Sequence, residues 1–310
     1  MTSAAPFVPT EYNWLLLRFS ADRQARASAL GEALQRALTG AKQPLQILDL
    51  GAGAGANLLH LAPRLPAQAQ SWTLIDRDAA LVERVRACFA HMSEHLPGLS
   101  LPGRGPDASD ADQLYFDDRR IDYRAHTGDF LSPESPIYQQ TFDLVSANAV
   151  FDLLTADQLD AFFQLAVAKW ADSRPLMYFT INLDHTLRFA PARADDDLVR
   201  ALFHAHMQRP QPPGRSLGPD SAAKLADLAR AHGLRVTQGS SGWHIASDAK
   251  AMLHKNLDFI DGAVHELIAG GATELSAAAF DAWLAERRQA IEHGQLSLEV
   301  GHQDFLIEWP

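Results

Sequence analysis

Residues 45–57 run Leu-Gln-Ile-Leu-Asp-Leu-Gly-Ala-Gly-Ala-Gly-Ala-Asn: an apolar segment passes straight into a loop with glycine at every second place. Leu58, Leu59, Leu61, Ala62 and Leu65 then recur at helical spacing. A short apolar run bounded by turn residues predicts a buried strand, and recurrence every three or four positions predicts a helix. The same strand signal returns at Trp72–Asp76, Ile121–His126, Phe142–Asn148, Leu176–Ile181, Leu234–Gln238 and, with clear alternation, at Gly301–Trp309. Helical patterns lie between them. Thr155 and Gln158 form a capping box ahead of Leu159, Phe162, Phe163, Ala166 and Trp170. Gly218-Pro-Asp-Ser221 opens a helix that ends near Gly233, and residues 248–268 and 275–292 read as two more. At the N-terminus, residues 10–40 are helical. Ser20-Ala-Asp22 caps one helix whose inner face is Ala25, Ala29, Leu30, Leu34 and Leu38, and Gly40 stops it. Strands alternating with helices predict an α/β protein built on a largely parallel sheet.

The glycine loop is the first place where chemistry enters. Gly51, Gly53 and Gly55 let the chain turn tightly and let a ligand approach bare backbone. The helix that begins there aims free N–H groups and the positive end of its dipole at the loop. Strand, loop and helix together predict a nucleotide-cofactor site. Gly51-x-Gly53-x-x-Ala56 satisfies the loose dinucleotide fingerprint, so a nicotinamide cofactor and an NAD(P)-dependent oxidoreductase are one reading. Asp49, two residues before the first glycine, favours another. A carboxylate there suits a ligand carrying a positive charge and suits a pyrophosphate poorly.

The spacing Asp49-x-Gly51-x-Gly53-x-Gly55 resembles the first motif of the class I S-adenosylmethionine (SAM) methyltransferases. Asp76 ends the second strand, where an acidic side chain accepts ribose hydroxyls, a role SAM and NAD share. Thr127-Gly128-Asp129-Phe130 resembles the adenine pocket of that superfamily, which implies Asp129 on the adenine amino group and Phe130 on the ring. Asn148-Ala-Val-Phe151 stands at the fourth motif, where the chain passes the reactive methyl group. Four motifs in order over 45–154 are far more specific than one. The chain looks close to bacterial small-molecule methyltransferases of unassigned substrate. The resemblance implies SAM as cofactor, held by Arg18, Asp49, Gly51, Ala52, Gly53, Gly55, Asn57, Asp76, Arg77, Asp129, Phe130 and Asn148. It implies a Rossmann-like seven-stranded sheet with helices on both faces, mostly parallel, whose last strand enters antiparallel between the fifth and sixth. It also implies that the N-terminal segment (Tyr12, Trp14, Leu15, Leu16, Leu17, Phe19) folds over the cofactor, with Arg18 reaching the SAM carboxylate.

Composition narrows the partners. The chain has 310 residues, 47% hydrophobic and 21% charged, enough for a large core. Its formal net charge is −11, which argues against a polyanion partner. Enzymes that methylate base amino groups usually carry a Pro-Pro-aromatic sequence after the fourth strand, which this chain lacks. Cys88 sits in a helical pattern with Leu81, Val82, Val85 and Phe89 and reads as core. One cysteine fits the cytosol. Met1–Phe7 lack the basic residues of a signal peptide, and no apolar run approaches the ~20 residues of a membrane span. The expected partner is a small methyl acceptor, with neither nucleic acid nor membrane, in a cytoplasmic enzyme.

The expected organisation is a helical cap over 1–43 and a methyltransferase domain over 44–310, with insertions at 97–118, 186–218 and 247–292. The first, rich in proline, glycine and aspartate, reads as a surface loop. The second follows the fifth strand at the sheet's carboxyl edge, where substrates bind, and reads as a lid. Within it Asp195 starts a helix that carries Leu198, Leu202 and His206 on its inner line, with His204 turned away. The third serves a substrate wall or a dimer contact, so a homodimer is one candidate assembly. Methyl transfer from a sulfonium needs mainly positioning and a base only when the acceptor must lose a proton. Asp152, Asp184, His185 and His206 are the candidate catalytic residues, with His244 a further pocket candidate. No metal site is expected: His204 and His206 point to different helix faces. A SAM-binding protein without catalysis is the remaining alternative.

Overall fold

A computed structural model describes residues 10–102, 111–211 and 214–310. Residues 1–9, the loop residues Gly103, Gly105 and Pro106, Pro212 and Pro213, and the Tyr12 side chain lie outside the described residues. In chain order the elements are α1 (Thr10–Ala25), α2 (Ser28–Leu38), β1 (Leu45–Leu50), α3 (Ala56–Leu61), β2 (Ala69–Asp76), α4 (Ala79–Val82) and α5 (Val85–Ser93). There follow β3 (Leu99–Ser100), β4 (Asp112–Phe116), β5 (Arg119–Thr127), β6 (Leu144–Asn148), α6 (Ala156–Lys169), β7 (Leu176–Ala190) and α7 (Asp196–Met207). The chain closes with β8 (Pro210–Gln211), β9 (Gly214–Arg215), α8 (Ser221–Ala231), β10 (Arg235–Ser240), β11 (Trp243–Ile245), α9 (Lys250–Ala269), α10 (Ala277–Glu292) and β12 (Ser297–Glu308).

The main sheet has the order β10-β12-β7-β6-β1-β2-β5-β4-β3. β5, β2, β1, β6 and β7 are parallel. β12 runs antiparallel between β7 and β10. This is the expected seven-stranded order. Apolar side chains alternate through it. Leu45 and Ile47 of β1 pack with Leu34 of α2, Leu58 of α3 and Phe89 of α5 on one face. Leu48 and Leu50 pack with Phe162 and Phe163 of α6 and Leu225 of α8 on the other. Burial of both faces is what parallel strands require. Asp49 shares the face of Ile47, toward α3.

Four expectations are corrected. The segment 97–118 is more than a loop: β4 pairs antiparallel with β5, and β3 with β4, so the sheet gains an edge extension. The fifth strand does not end at Ile181. β7 runs 15 residues to Ala190, because β12 begins at Ser297 rather than Gly301 and pairs with it throughout. β11 adds to the same ribbon. The insertion after β7 therefore starts as sheet, and its helix is clamped. Asp196 at the start of α7 accepts hydrogen bonds from Trp283 Nε1 at 3.0 Å and from Arg287 of α10. Arg287 is fully buried between the rings of Phe189 and Trp283. On α7 the inner residues are Val199 and Leu202, while Leu198 is exposed. Finally, Ser20 and Asp22 lie inside α1 instead of capping a helix. The break falls at Arg26-Ala27, where Ala27 is extended (ψ 102°) and α2 begins. Ala29 is exposed as a result.

Above the sheet's carboxyl edge the ribbon of β7, β11 and β12 supports a third apolar cluster. Leu187, Trp243, Leu253, Ile260, Phe280 and Val300 belong to it, with Trp14 and Leu17 of α1 packed against it. α1 thus spans from this upper cluster to the glycine loop.

Candidate functional site

The glycine loop has the backbone its sequence demands. Gly51 has φ 59° and a Cβ there would lie 2.7 Å from Val150 Cγ2. Gly55, the residue before α3, has φ 85° and would drive a Cβ to 2.6 Å from the Phe89 ring. Neither position accepts an L side chain. Ala52 N–H donates to Ile75 O at 3.0 Å, which ties the loop to β2. Asp76 at the tip of β2 accepts from Gly53 N–H at 2.7 Å and from Asp78 N–H at 2.9 Å.

Asp49 is fully buried. Its Oδ1 accepts from Asn57 Nδ2 at 2.6 Å and from Ser146 Oγ at 2.7 Å. Its Oδ2 is buried with no hydrogen-bond partner among the described residues. Burial pushes the carboxyl up to about 6, against the two hydrogen bonds and Arg26. A half-satisfied, desolvated carboxylate beside a glycine loop is the feature that a bound cation would complete.

Asn148 at the end of β6 is held on every side. Its Oδ1 accepts from Thr180 Oγ1 at 2.9 Å and Arg26 Nη2 at 3.1 Å, and its Nδ2 donates to Asp22 Oδ2 at 3.1 Å. Arg26 Nη2 also donates to Asn57 Oδ1 at 2.8 Å. Sequence reasoning missed Arg26, because it lies at a helix break that the apolar periodicity does not reveal. The break is fixed from 277 residues away: Asp304 Oδ2 accepts from Ala27 N–H at 2.9 Å, and Oδ1 from Ile181 N–H at 2.8 Å. Ile181, β-branched, has φ 56°, and Ala149, next to Asn148, has φ 55°. Such backbone is costly and persists only where the surroundings over-determine it. Both residues sit where the two strands leave the parallel sheet beside the cleft.

α1 roofs the cleft. Leu15 Cδ1 would lie 3.4 Å from a Cβ on Gly53. Asp22 accepts from Arg18 through two nitrogens (3.0 and 3.2 Å), from Asn148, and from Trp243 Nε1 at 3.0 Å. Arg18 lies over the rings of Trp14 and Trp243 at 5.8 and 5.0 Å. Its guanidinium is paired with Asp22, and it is Arg26, not Arg18, that reaches Asn57 and Asn148. His302, also missed, is buried against Trp243 at 4.7 Å, and burial first, with Arg18 adding, pushes it down to about 4.

The remaining predicted residues divide. Asp152 follows β6 by four residues. Its Oδ1 is buried without a partner among the described residues, and burial raises its carboxyl while Arg18 opposes. Asp129 is exposed, its Oδ1 accepting from Leu131 N–H. Phe130 is buried against Phe162 at 5.8 Å and packs with the core. Arg77 is exposed at the tip of β2. Asp184 is taken up in the ribbon, where Oδ1 accepts from Thr186 N–H and Oδ2 from Gln303. His185 is exposed and pairs with Asp220 at 2.7 Å. His206 pairs with Glu266 of α9 at 2.8 Å and touches Arg209. These last three are not brought to the cleft. His244 is exposed on β11. Away from the cleft, exposed His91, Glu94 and His95 bring three potential ligand atoms within 4.8 Å of one another. No helix among the described residues is long and apolar enough to cross a membrane.

Residues 21–238 match the family described as "Methyltransferase domain". The chain is similar in fold to mycolic acid cyclopropane synthase CmaA1, solved with SAH and CTAB. Identity is 14% over 91% of this chain and 83% of that one, with a TM-score of 0.46. It is similar to the YcgJ protein from Bacillus subtilis at 14% identity, covering 91% and 99% of the two chains, TM-score 0.46. It is similar to geranyl diphosphate C-methyltransferase from Streptomyces coelicolor A3(2) at 12% identity, covering 100% and 90%, TM-score 0.42. No curated protein matches the sequence. The family match takes in the glycine loop, Asp49, Asp76, Asn148 and the sheet through β10, and the chain belongs to this family, the class I SAM-dependent methyltransferases.

Proposed function

We propose that this methyltransferase acts on a small-molecule acceptor that enters beneath α1. The carrying observation is the roof. Asp22 fastens α1 to Asn148 and Trp243 at once, and Leu15 lies against the glycine loop. With α1 placed over Asn148, an acceptor small enough to pass beneath that helix fits best. In this reading residues 1–43 are the cap and 44–310 the catalytic body, and the net charge of −11 agrees with a partner other than nucleic acid.

When bound, SAM supplies a methyl group on a sulfonium whose departure leaves a neutral thioether. The share of the chain is then mainly positioning. The glycine loop bounds the cofactor, Asp76 accepts ribose hydroxyls, and the free oxygen of Asp49 faces positive charge. Asn148 is immobilised by three partners and can orient an acceptor. Asp152 is the proposed base: burial raises its affinity for a proton, and one oxygen has no other partner. Asp184, His185 and His206 are assigned no chemistry.

Methyl-labelled SAM incubated with the enzyme and separated pools of metabolites, RNA and protein tests this reading. Label should enter the metabolite pool. Label confined to RNA or protein overturns it, and no label in any pool favours cofactor binding without catalysis. Once an acceptor is in hand, Asp152→Asn should lower kcat about 100-fold and leave SAM affinity unchanged. An unaltered kcat removes the base assignment.

A further inference from the structure

A second cavity, of about 320 Å³, lies between the α1–α2 break and α3, and Arg23, Arg26, Glu32, His60, Arg64 and Tyr178 are among its lining. In a chain of net charge −11, three guanidinium groups converge on one space against a single carboxylate, Glu32. Among the described residues no carboxylate forms an ion pair with any of the three.

The inner surface is unsatisfied. Arg26 spends Nη2 on Asn57 and Asn148, while Nε and Nη1 are buried with no partner among the described residues. His60 is 4% exposed and its Nδ1 also lacks a partner. Asp304, Asp22 and Asp49 act on Arg26 from a distance without forming an ion pair with it, so its remaining N–H groups stay unsatisfied. Burial, with the neighbouring arginines adding, pushes His60 well below its ordinary value, so its ring is neutral and can donate or accept. The first turn of the 11-residue α2 faces the same space through Ser28 and Gly31, and Ala27 gives it no side-chain cap. Asp304 Oδ2 already takes the Ala27 N–H at this helix start, and the Ser28 end of the helix adds its dipole to the arginines.

We infer that this cavity binds a compact oxyanion, the phosphoryl or carboxylate group of a small metabolite, behind the wall of the cofactor cleft. Arg64, whose Nη1 also donates to the His60 carbonyl, and Arg26 supply guanidinium N–H groups for such a group, and Arg23 stands exposed at the mouth. None of the glycine-loop residues or Asp76 lines it, so the cavity is a neighbour of the proposed cofactor cleft, with Arg26 between the two. The cavity admits a small headgroup, and the net charge opposes a polyanion strand.

Calorimetric titration of the full chain with inorganic phosphate, and separately with citrate, in chloride buffer tests the inference. Saturable one-to-one binding of either anion is expected, and which one binds identifies the phosphoryl or carboxylate source. Arg64→Gln and Arg23→Gln should each weaken it about tenfold, the loss of one charged hydrogen bond, while binding of S-adenosylhomocysteine stays within about twofold of wild type. Arg23→Gln alters an exposed side chain and keeps the test decisive should Arg64→Gln fold poorly. The inference is overturned if neither anion saturates, if the folded variants bind as wild type does, or if saturating S-adenosylhomocysteine abolishes anion binding.

Discussion

Asp49 shows how much a single side chain can be read from sequence and where reading stops. Its position before the glycines announced a carboxylate for a cationic ligand. Ser146, 97 residues later, and Asn57 could not be named as the partners that leave one oxygen free. That oxygen has a thermodynamic consequence. A carboxyl lifted from 3.8 to about 6 holds its proton more tightly in the folded state than unfolded. As pH rises from about 4 to 6 the unfolded chain ionises this group while the folded state still holds its proton, so the residue lowers stability by about 3 kcal/mol in the apoprotein at neutral pH. Below pH 4 the penalty vanishes. Asp49→Asn should therefore raise the apoprotein Tm at pH 7.5, give no gain at pH 4, and weaken SAM binding about tenfold or more. In the wild type, SAM affinity should fall as pH drops through 6. A Tm lowered equally at both pH values would mean that Asp49 serves packing alone.

At the scale of elements, the capping box at Thr155, the inner face of α6 and the bounds of α8 were legible, because they depend on residues within a few turns. The break between α1 and α2 was not. Its cause is Asp304 on the last strand, and no local pattern encodes a partner that distant. The ribbon of β7 and β12 was hidden for a related reason. Residues 182–190 alternate only once paired with 298–303, and Gly301 is needed there because a Cβ would meet Thr186 Cβ at 2.4 Å and the Asp184 carboxylate closer still. In the insertion that length and position after the fifth strand mark as a lid, Trp283 and Arg287 clamp Asp196 and so fasten α7 to α10. The moving part is better sought in α1, whose polar attachment to the cleft runs through Asp22. Asp22→Ala should cost about 3 kcal/mol of stability, since it strands the Trp243 and Asn148 donors and the Arg18 charge. It should speed hydrogen exchange over residues 14–25 and raise KM more than it lowers kcat. Exchange unchanged over that stretch would show that apolar contacts alone hold the roof.

For the whole molecule, strand order followed from the order of the motifs, and the antiparallel β12 between β7 and β10 is where the resemblance placed it. The β3–β4 extension and the upper cluster over the ribbon lie outside what the shared core encodes. They are what this chain adds to a common sheet, and the upper cluster lies at the sheet's carboxyl edge. The glycine loop, buried Asp49, Asp76 and roofed Asn148 are together the proposed holder of a positively charged adenosyl cofactor under α1. Calorimetric titration of the wild-type protein with S-adenosylhomocysteine, SAM and NAD tests this most directly. The account predicts saturable one-to-one binding of the first two, about tenfold weaker or worse in a folded Asp76→Ala variant that has lost the ribose acceptor, and no binding of NAD. Binding of NAD in place of both adenosyl ligands, or SAM affinity untouched by Asp76→Ala, would contradict it.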